Sequence, residues 1–213
     1  MSTVLITFVV CKSSNFLELF LEQTRNYLMQ INFCANCGNS MQFNVVEGDH
    51  LPRYHCTRCG FIAYQNPHII VGCLPIWKNK IMLCKRGIEP RMGFWNLPGG
   101  FMENNETIKQ GATREMKEET GADVKIIGVH SIFSVPQVNQ LHIHFLAELI
   151  NLDYVLTPES IEIEIFDEGS MPWADIAFAS TDYSIKTYFS DLKKNTQSIH
   201  TSSTLEHEFF PIY

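Results

Sequence analysis

The sequence predicts an α+β protein in two parts, a small cysteine-rich module followed by a larger domain of strands and helices. Three observations predict it. Two Cys-x-x-Cys-Gly units, Cys34 to Gly38 and Cys56 to Gly60, are separated by residues 39–55. Apolar runs of strand length recur at residues 68–77, 81–86, 124–133, 141–149 and 161–166. Two stretches with helical spacing fall among them, one ending in Arg114-Glu115-Met116-Lys117-Glu118-Glu119 and one at residues 181–194.

The totals are compatible with this. A chain of 213 residues with 45% hydrophobic and 18% charged residues holds one medium domain, or one domain with an appendage, and buries a sizeable core. The net charge of −7 argues against a general nucleic-acid binder but not against a small anionic ligand. The seven cysteines are an odd number. Four lie in the two pairs, and Cys11, Cys73 and Cys84 are left over, so metal ligation in a reducing, cytoplasmic compartment is expected rather than a disulfide scaffold.

Residues 1–31 read as an N-terminal extension. Met1 to Cys11 is apolar but too short to span a bilayer, and its first basic residue, Lys12, follows the apolar run, the wrong order for a secretory leader. A strand or a disordered tail is expected there, with Met29 an alternative start. Phe16, Leu17, Leu19, Phe20, Leu21, Leu28 and Met29 form a helical stripe over residues 15–30.

Residues 32–64 carry Cys34, Cys37, Cys56 and Cys59. Two Cys-x-x-Cys-Gly turns at this distance are the pattern of a zinc ribbon. Each turn aims two sulfurs at one ion, and the glycine after it accepts the left-handed conformation that relieves the turn. Four thiolates leave no open coordination position, so the Zn2+ is structural. Two redox dithiols are the alternative, and His50 and His55 are bystanders.

Residues 65–194 form the main domain. Gln65-Asn66-Pro67 is a turn, His68–Trp77 a buried strand, Lys78-Asn79-Lys80 a turn, and Ile81–Arg86 the returning strand, with Cys73 and Cys84 as core residues. In the loop Arg91–Gly100, Gly99 and Gly100 mark a close backbone approach. A helix follows, capped by Asn104 or Asn105, with Glu106 in its first turn and Ile108, Ala112 and Met116 facing the core. Strands are expected at 124–133, 141–149 and 161–166, where Glu162 and Glu164 share a face. A short turn or helix at 173–178 leads to a last helix at 181–194, and residues 195–213 are a polar tail, expected to be mobile from Asn195 to Glu206.

On the acidic helix, Glu115 and Glu119 share a face and Glu118 lies beside them. Like charges at that spacing repel, and a hard divalent cation, Mg2+ or Mn2+, is the natural counter-charge. The alternative is a solvated acidic face.

Written as spacings, Gly100, five residues, Glu106, seven residues, then Arg114-Glu115-Met116-x-Glu118-Glu119-x-Gly121-Ala122 resembles the Nudix box. Every invariant Gly, Glu and Arg position is filled, and Ala122 replaces a larger aliphatic. The preceding four-cysteine ribbon, Tyr64–Pro67, Trp95–Glu103, Pro172-Trp173 and Ala177-Phe178 are similar to a zinc-ribbon subgroup linked to FAD and ADP-ribose pyrophosphatases, over roughly residues 32–193. The resemblance implies the Nudix fold, a mixed sheet between helices with the box as loop–helix–loop. It also implies Mg2+-dependent hydrolysis of a nucleoside diphosphate linked to another group, giving AMP and a second monophosphate.

The implied metal ligands are Glu115, Glu118, Glu119 and the Gly100 carbonyl, with Arg114 and Glu106 bracing them. Glu118, Glu119, Arg114, Glu106 and Glu162 form the implied catalytic set. The resemblance implies a general base from the box or from a later loop; Glu162 and Glu164 are the candidates outside the box, and strand alternation is the other explanation for them. Arg86, Arg91 and Trp95 are candidates for substrate binding, and Phe61, Tyr64, Phe101 and Phe133 join Trp95 as candidates to stack on a ring. The Ser-Gln-Pro-Trp signature of NADH pyrophosphatases is missing from Phe133–Gln140, which counts against NADH as main substrate. Other readings are a hydrolase of NAD-capped RNA or oxidised nucleotides, and a non-catalytic nucleotide sensor. Homodimers are common in the family.

Overall fold

In a computed structural model the described residues are 30–205. The expected terminal strand or tail, the helical stripe at 15–30 and the end of the polar tail lie outside them. The chain divides between Asn66 and Pro67.

The first unit is built from two tight turns. Gly38 and Gly60 take φ of 71° and 75°, and their N–H groups bond back to the carbonyls of Cys34 and Cys56 at 2.9 Å each. Between and after them run β1 (Gln42–Val45), β2 (Pro52–His55) and β3 (Ile62–Ala63), an antiparallel sheet in the order β1-β2-β3. Among the described residues of this unit, the buried hydrophobics are Cys34, Tyr54 and Cys56. So small a core does not offset the entropy of ordering the chain, and the cysteines must supply the staple.

The second unit is a mixed eight-stranded sheet. Its strands are β4 (His68–Trp77), β5 (Lys80–Arg86), β6 (Trp95–Asn96), β7 (Gly99–Phe101), β8 (Val124–Val135), β9 (Gln140–Leu149), β10 (Ser160–Phe166) and β11 (His200–Ser203). The main order is β10-β5-β4-β9-β8-β11, with β6 on β5 and β7 on β4. β4 runs parallel to β9 and β11 parallel to β8; the other pairs are antiparallel. Lys78 and Asn79 both have positive φ, which makes the two-residue turn whose twist suits the β4–β5 hairpin.

One helix packs on each face. α1 (Ile108–Thr120) lays Ala112 and Met116 on Val71, Cys73, Met82, Cys84 and Phe145. α2 (Ala179–Lys194) lays Ile185, Tyr188 and Phe189 on Leu74, Ile81, Leu83 and Leu146. Successive residues of β4 and β5 therefore enter different clusters. That is why both read as unbroken apolar runs rather than alternating ones.

Two expectations are corrected. α1 is capped by Thr107, not Asn104 or Asn105, and Glu106 precedes the helix. Thr107 Oγ1 accepts from the N–H of Gln110 while the Gln110 side chain accepts from the N–H of Thr107, a reciprocal box that outcompetes an isolated Asn. The polar stretch after Asn195, expected to be mobile, supplies β11 and closes the sheet edge beside β8. No helix among the described residues is long and apolar enough to cross a membrane.

Candidate active site

The loop before α1 and the helix itself are fitted to each other through glycine. A Cβ on Gly99 would lie 2.7 Å from the Cα of Gly72 on β4, and one on Gly100 would lie 2.6 Å from a Glu115 carboxylate oxygen. The close approach expected at these glycines is therefore double, to a strand backbone and to a carboxylate.

Arg114 binds the constellation together. Its Nε and Nη2 donate to the two oxygens of Glu106 at 3.0 and 2.8 Å. Its Nη1 donates to Glu115 at 2.7 Å and to Glu118 at 2.9 Å, and its Nη2 reaches the Phe101 carbonyl at 3.2 Å. Glu106 also accepts from the Glu103 N–H at 2.7 Å. The Arg114 bonds, and then that N–H, hold the Glu106 carboxyl down at about 2. The same Glu106 contact raises the Arg114 guanidinium further above its ordinary value.

The helix carboxylates differ. Glu118 is solvent-facing, its side chain 59% exposed, whereas that of Glu115 is 13% exposed. Burial raises the Glu115 pKa, and Arg114 opposes the rise. Glu119 has the Gly99 N–H at 3.4 Å, but the ion pairs of Arg114 go to Glu106, Glu115 and Glu118. Burial, with the charges of Glu115 and Glu159 adding, pushes Glu119 up to about 8. A cluster of oxygen donors this short of positive charge fits a hard divalent cation.

These carboxylates line a cleft of about 900 Å³ together with Gly100, Arg114 and Arg86. Arg86 donates to the Pro90 carbonyl at 2.8 Å and lies 5.1 Å from the centre of the Phe178 ring. Burial lowers the Arg86 pKa.

Other expected residues do not reach the cleft. Arg91 donates to the Ala177 carbonyl at 3.1 Å and stacks on Phe94. Trp95 is buried edge-on against Phe166. Glu162 stands opposite Lys85 across the β10–β5 pair and bonds it at 2.8 Å, and Glu164 opposes Leu83. The Glu162 expectation is thus redirected: strand alternation places it on a sheet face, in an ion pair. Of the ring-stacking candidates, Phe101 lines the cleft, Phe133 is in the core, and Phe61 and Tyr64 belong to the first unit.

The cleft holds residues that sequence reasoning passed over. Glu159, on the loop before β10, lines it, as do Phe178, His142 and His144. The histidines are two apart on β9, so the alternation of His-Ile-His was a signal for a shared face. His142 Nε2 lies 3.1 Å from the Gln140 side-chain Oε1 and its Nδ1 2.9 Å from Ser180 Oγ. His144 Nδ1 lies 2.7 Å from Ser184 Oγ. Burial pushes their pKa values down to about 4 and about 3, so both are neutral imidazoles at ordinary pH.

In the first unit, the Cys34 and Cys59 sulfurs are 3.6 Å apart, as are those of Cys37 and Cys56, and all four lie within 4.8 Å of one another. Tetrahedral zinc with Zn–S bonds near 2.3 Å spaces sulfurs by about 3.8 Å, so the donor set fits a closed thiolate site.

A carboxylate-rich loop–helix under a mixed sheet, behind a four-cysteine module, defines a class. The NUDIX domain model matches residues 66–186, more than half of the chain, and the Nudix N-terminal zinc-ribbon model matches residues 32–65. The chain belongs to the Nudix family, a family of hydrolases that cleave nucleotide diphosphate bonds. It is 33% identical to an ADP-ribose pyrophosphatase of Methanocaldococcus jannaschii over 113 residues, 51% of this chain and 67% of that protein. It is 31% identical to the NAD-capped RNA hydrolase NudC of Pseudomonas aeruginosa over 136 residues, 62% of this chain and 45% of that protein, and so spans about half of that relative. A crystal structure of a NUDIX hydrolase from Nitrosomonas europaea superposes with a TM-score of 0.78 at 44% identity, covering 81% of this chain and 98% of that one.

Proposed function

We propose that the chain hydrolyses the diphosphate of a nucleoside diphosphate linked to another group, with FAD or ADP-ribose as substrate and Mg2+ (or Mn2+) as cofactor. The carrying observation is the convergence of Glu115, Glu118, Glu119 and the Gly100 backbone on one cleft that also holds Arg86. Glu115, Glu118, Glu119 and the Gly100 carbonyl would hold the cation. When bound, it neutralises diphosphate charge and activates water.

The protein's own groups do the rest. Arg114 keeps the Glu106 loop clamped to α1, so that the carboxylates keep their spacing. Arg86 meets a phosphate oxygen from across the cleft. Glu159 takes the proton of the attacking water as the new P–O bond forms and the bridging P–O bond breaks, releasing AMP and the second monophosphate. Phe101 and Phe178 offer ring faces to a base or flavin. In the ribbon, Cys34, Cys37, Cys56 and Cys59 hold structural Zn2+, by the fit of their spacing.

A second reading keeps this chemistry and takes NAD-capped RNA as substrate. It is favoured by the NudC relatives. One panel of FAD, ADP-ribose, NADH and NAD-capped RNA, with Mg2+ and with Mn2+, separates the two by product chromatography. AMP plus flavin mononucleotide or ribose phosphate supports the first reading. Turnover confined to the capped RNA overturns it in favour of the second.

A further inference from the structure

Outside the cleft, one strand and, more than forty residues later in the chain, a helix and the strand that follows it bring metal-ligating groups to one point. His130 comes from β8, Asp191 from the last turn of α2 and His200 from the first residue of β11. One nitrogen from each ring and one carboxylate oxygen all lie within 4.8 Å of one another. The His130 and His200 ring centres are 5.2 Å apart. His130 is 2% exposed and Asp191 8%.

The hydrogen bonds around the three groups decide what they offer. His130 Nε2 lies 3.0 Å from the Ser184 carbonyl oxygen, which only accepts, so Nε2 carries the hydrogen and the lone pair is on Nδ1. Thr187 Oγ1, 3.1 Å from the same nitrogen, has its own hydrogen directed to the Tyr183 or Ser184 carbonyl. An imidazole whose N–H is locked on a backbone carbonyl, leaving the other nitrogen bare, is the usual state of a metal-ligating histidine. Asp191 is oriented in the same way: its oxygens accept from the Ser198 N–H at 3.2 Å and from Thr196 Oγ1 at 3.3 Å. His200 Nε2 lies 2.8 Å from Asp191 Oδ2, and its side chain is 21% exposed, which leaves a route from solvent.

We propose that His130, Asp191 and His200 form a second transition-metal site, distinct from the ribbon and from the carboxylate cleft, that staples β11 to β8 and α2. Two imidazoles and one carboxylate select borderline ions such as Zn2+, Co2+ or Ni2+ over Mg2+. The fourth position is left for water on the exposed side of His200. Without metal, a proton bridges His200 and Asp191 instead, and the ion replaces that proton.

The test uses the full chain in excess Mg2+, which occupies the carboxylate cleft. Zinc per chain is measured by mass spectrometry after equilibration with Zn2+, and Co2+ replacement is followed by absorption. Wild type is expected to hold two Zn2+ per chain, and His200→Ala and Asp191→Asn one. Co2+ should show a thiolate charge-transfer component in all three and a thiolate-free d–d component in wild type alone. Excess Zn2+ should raise the Tm of wild type but not of His200→Ala. Retention of the thiolate bands and Mg2+-dependent turnover shows that the variants are folded. One Zn2+ per wild-type chain, all of it thiolate-bound, overturns the site, as does a second Zn2+ retained by His200→Ala.

Discussion

The four-cysteine module and the carboxylate cleft both gather like donors at one point, but they rest on opposite foundations. The module buries three hydrophobic residues, two of them the cysteines themselves. Its geometry depends on two left-handed glycines and on whatever the sulfurs hold. The cleft stands on a finished sheet with a helix on each face, and its carboxylates are spaced by Arg114 before any ion arrives. On the proposed function, metal in the first belongs to folding and metal in the second to chemistry.

The largest test of that contrast is removal of a thiolate. Cys56→Ser, or chelation, should unfold residues 30–66, seen as loss of their amide dispersion. The sheet unit should keep its stability to within about 0.5 kcal/mol, as expected for independent sites. If both units melt together, the contrast fails.

Glu119→Gln should do the reverse. It should lower kcat by about 10³-fold, roughly 4 kcal/mol of barrier, without lowering Tm, because burial already disfavours the charge it removes. A large loss of Tm would mean that the cleft is structural as well. Gly100→Ala drives a Cβ onto Glu115 and should cost about 10²-fold in kcat, the usual penalty for misplacing a reacting group by an ångström.

Two acids near β10 divide along the same line. Glu159→Gln should lower kcat by about 10²-fold or more, with KM little changed. Glu162→Gln breaks only a surface pair with Lys85 and should change stability by less than about 1 kcal/mol and turnover by less than twofold. Equal effects of the two would sink the assignment of Glu159.

The mildest test is pH. His142 and His144 titrate near 6.5 when unfolded but are held down to about 4 and about 3 when folded. The unfolded chain therefore binds protons first on acidification. Stability is full above about pH 6.5 and falls below it, by about 1.4 kcal/mol per pH unit for each histidine. Urea unfolding at pH 7 and pH 5.5 should show the loss, and His144→Asn should shrink it.

How much of this could be read from the chain varied with how local the cause was. The strands at residues 68–77 and 81–86 and the terminal helix could be read because their apolar periods are set by neighbours in sequence. The start of α1 was misread because two asparagines compete with Thr107-x-x-Gln110, and only the reciprocal hydrogen bonds choose between them. β11 was missed because His-Thr-Ser-Ser has no apolar pattern; its partner is β8, more than sixty residues earlier.

By itself the sequence determined the class and the carboxylate set. The ribbon spacing and the Gly100–Glu106–Arg114–Glu119 spacings are fixed by turn and helix geometry, which is local. Only the tertiary structure decided that Glu89 and Glu159 reach the cleft while Glu162, Glu164, Arg91 and Trp95 do not, and that His130, Asp191 and His200 meet. Those depend on sheet register and strand order, and a shift of a single residue in register turns every side chain of a strand to the other face.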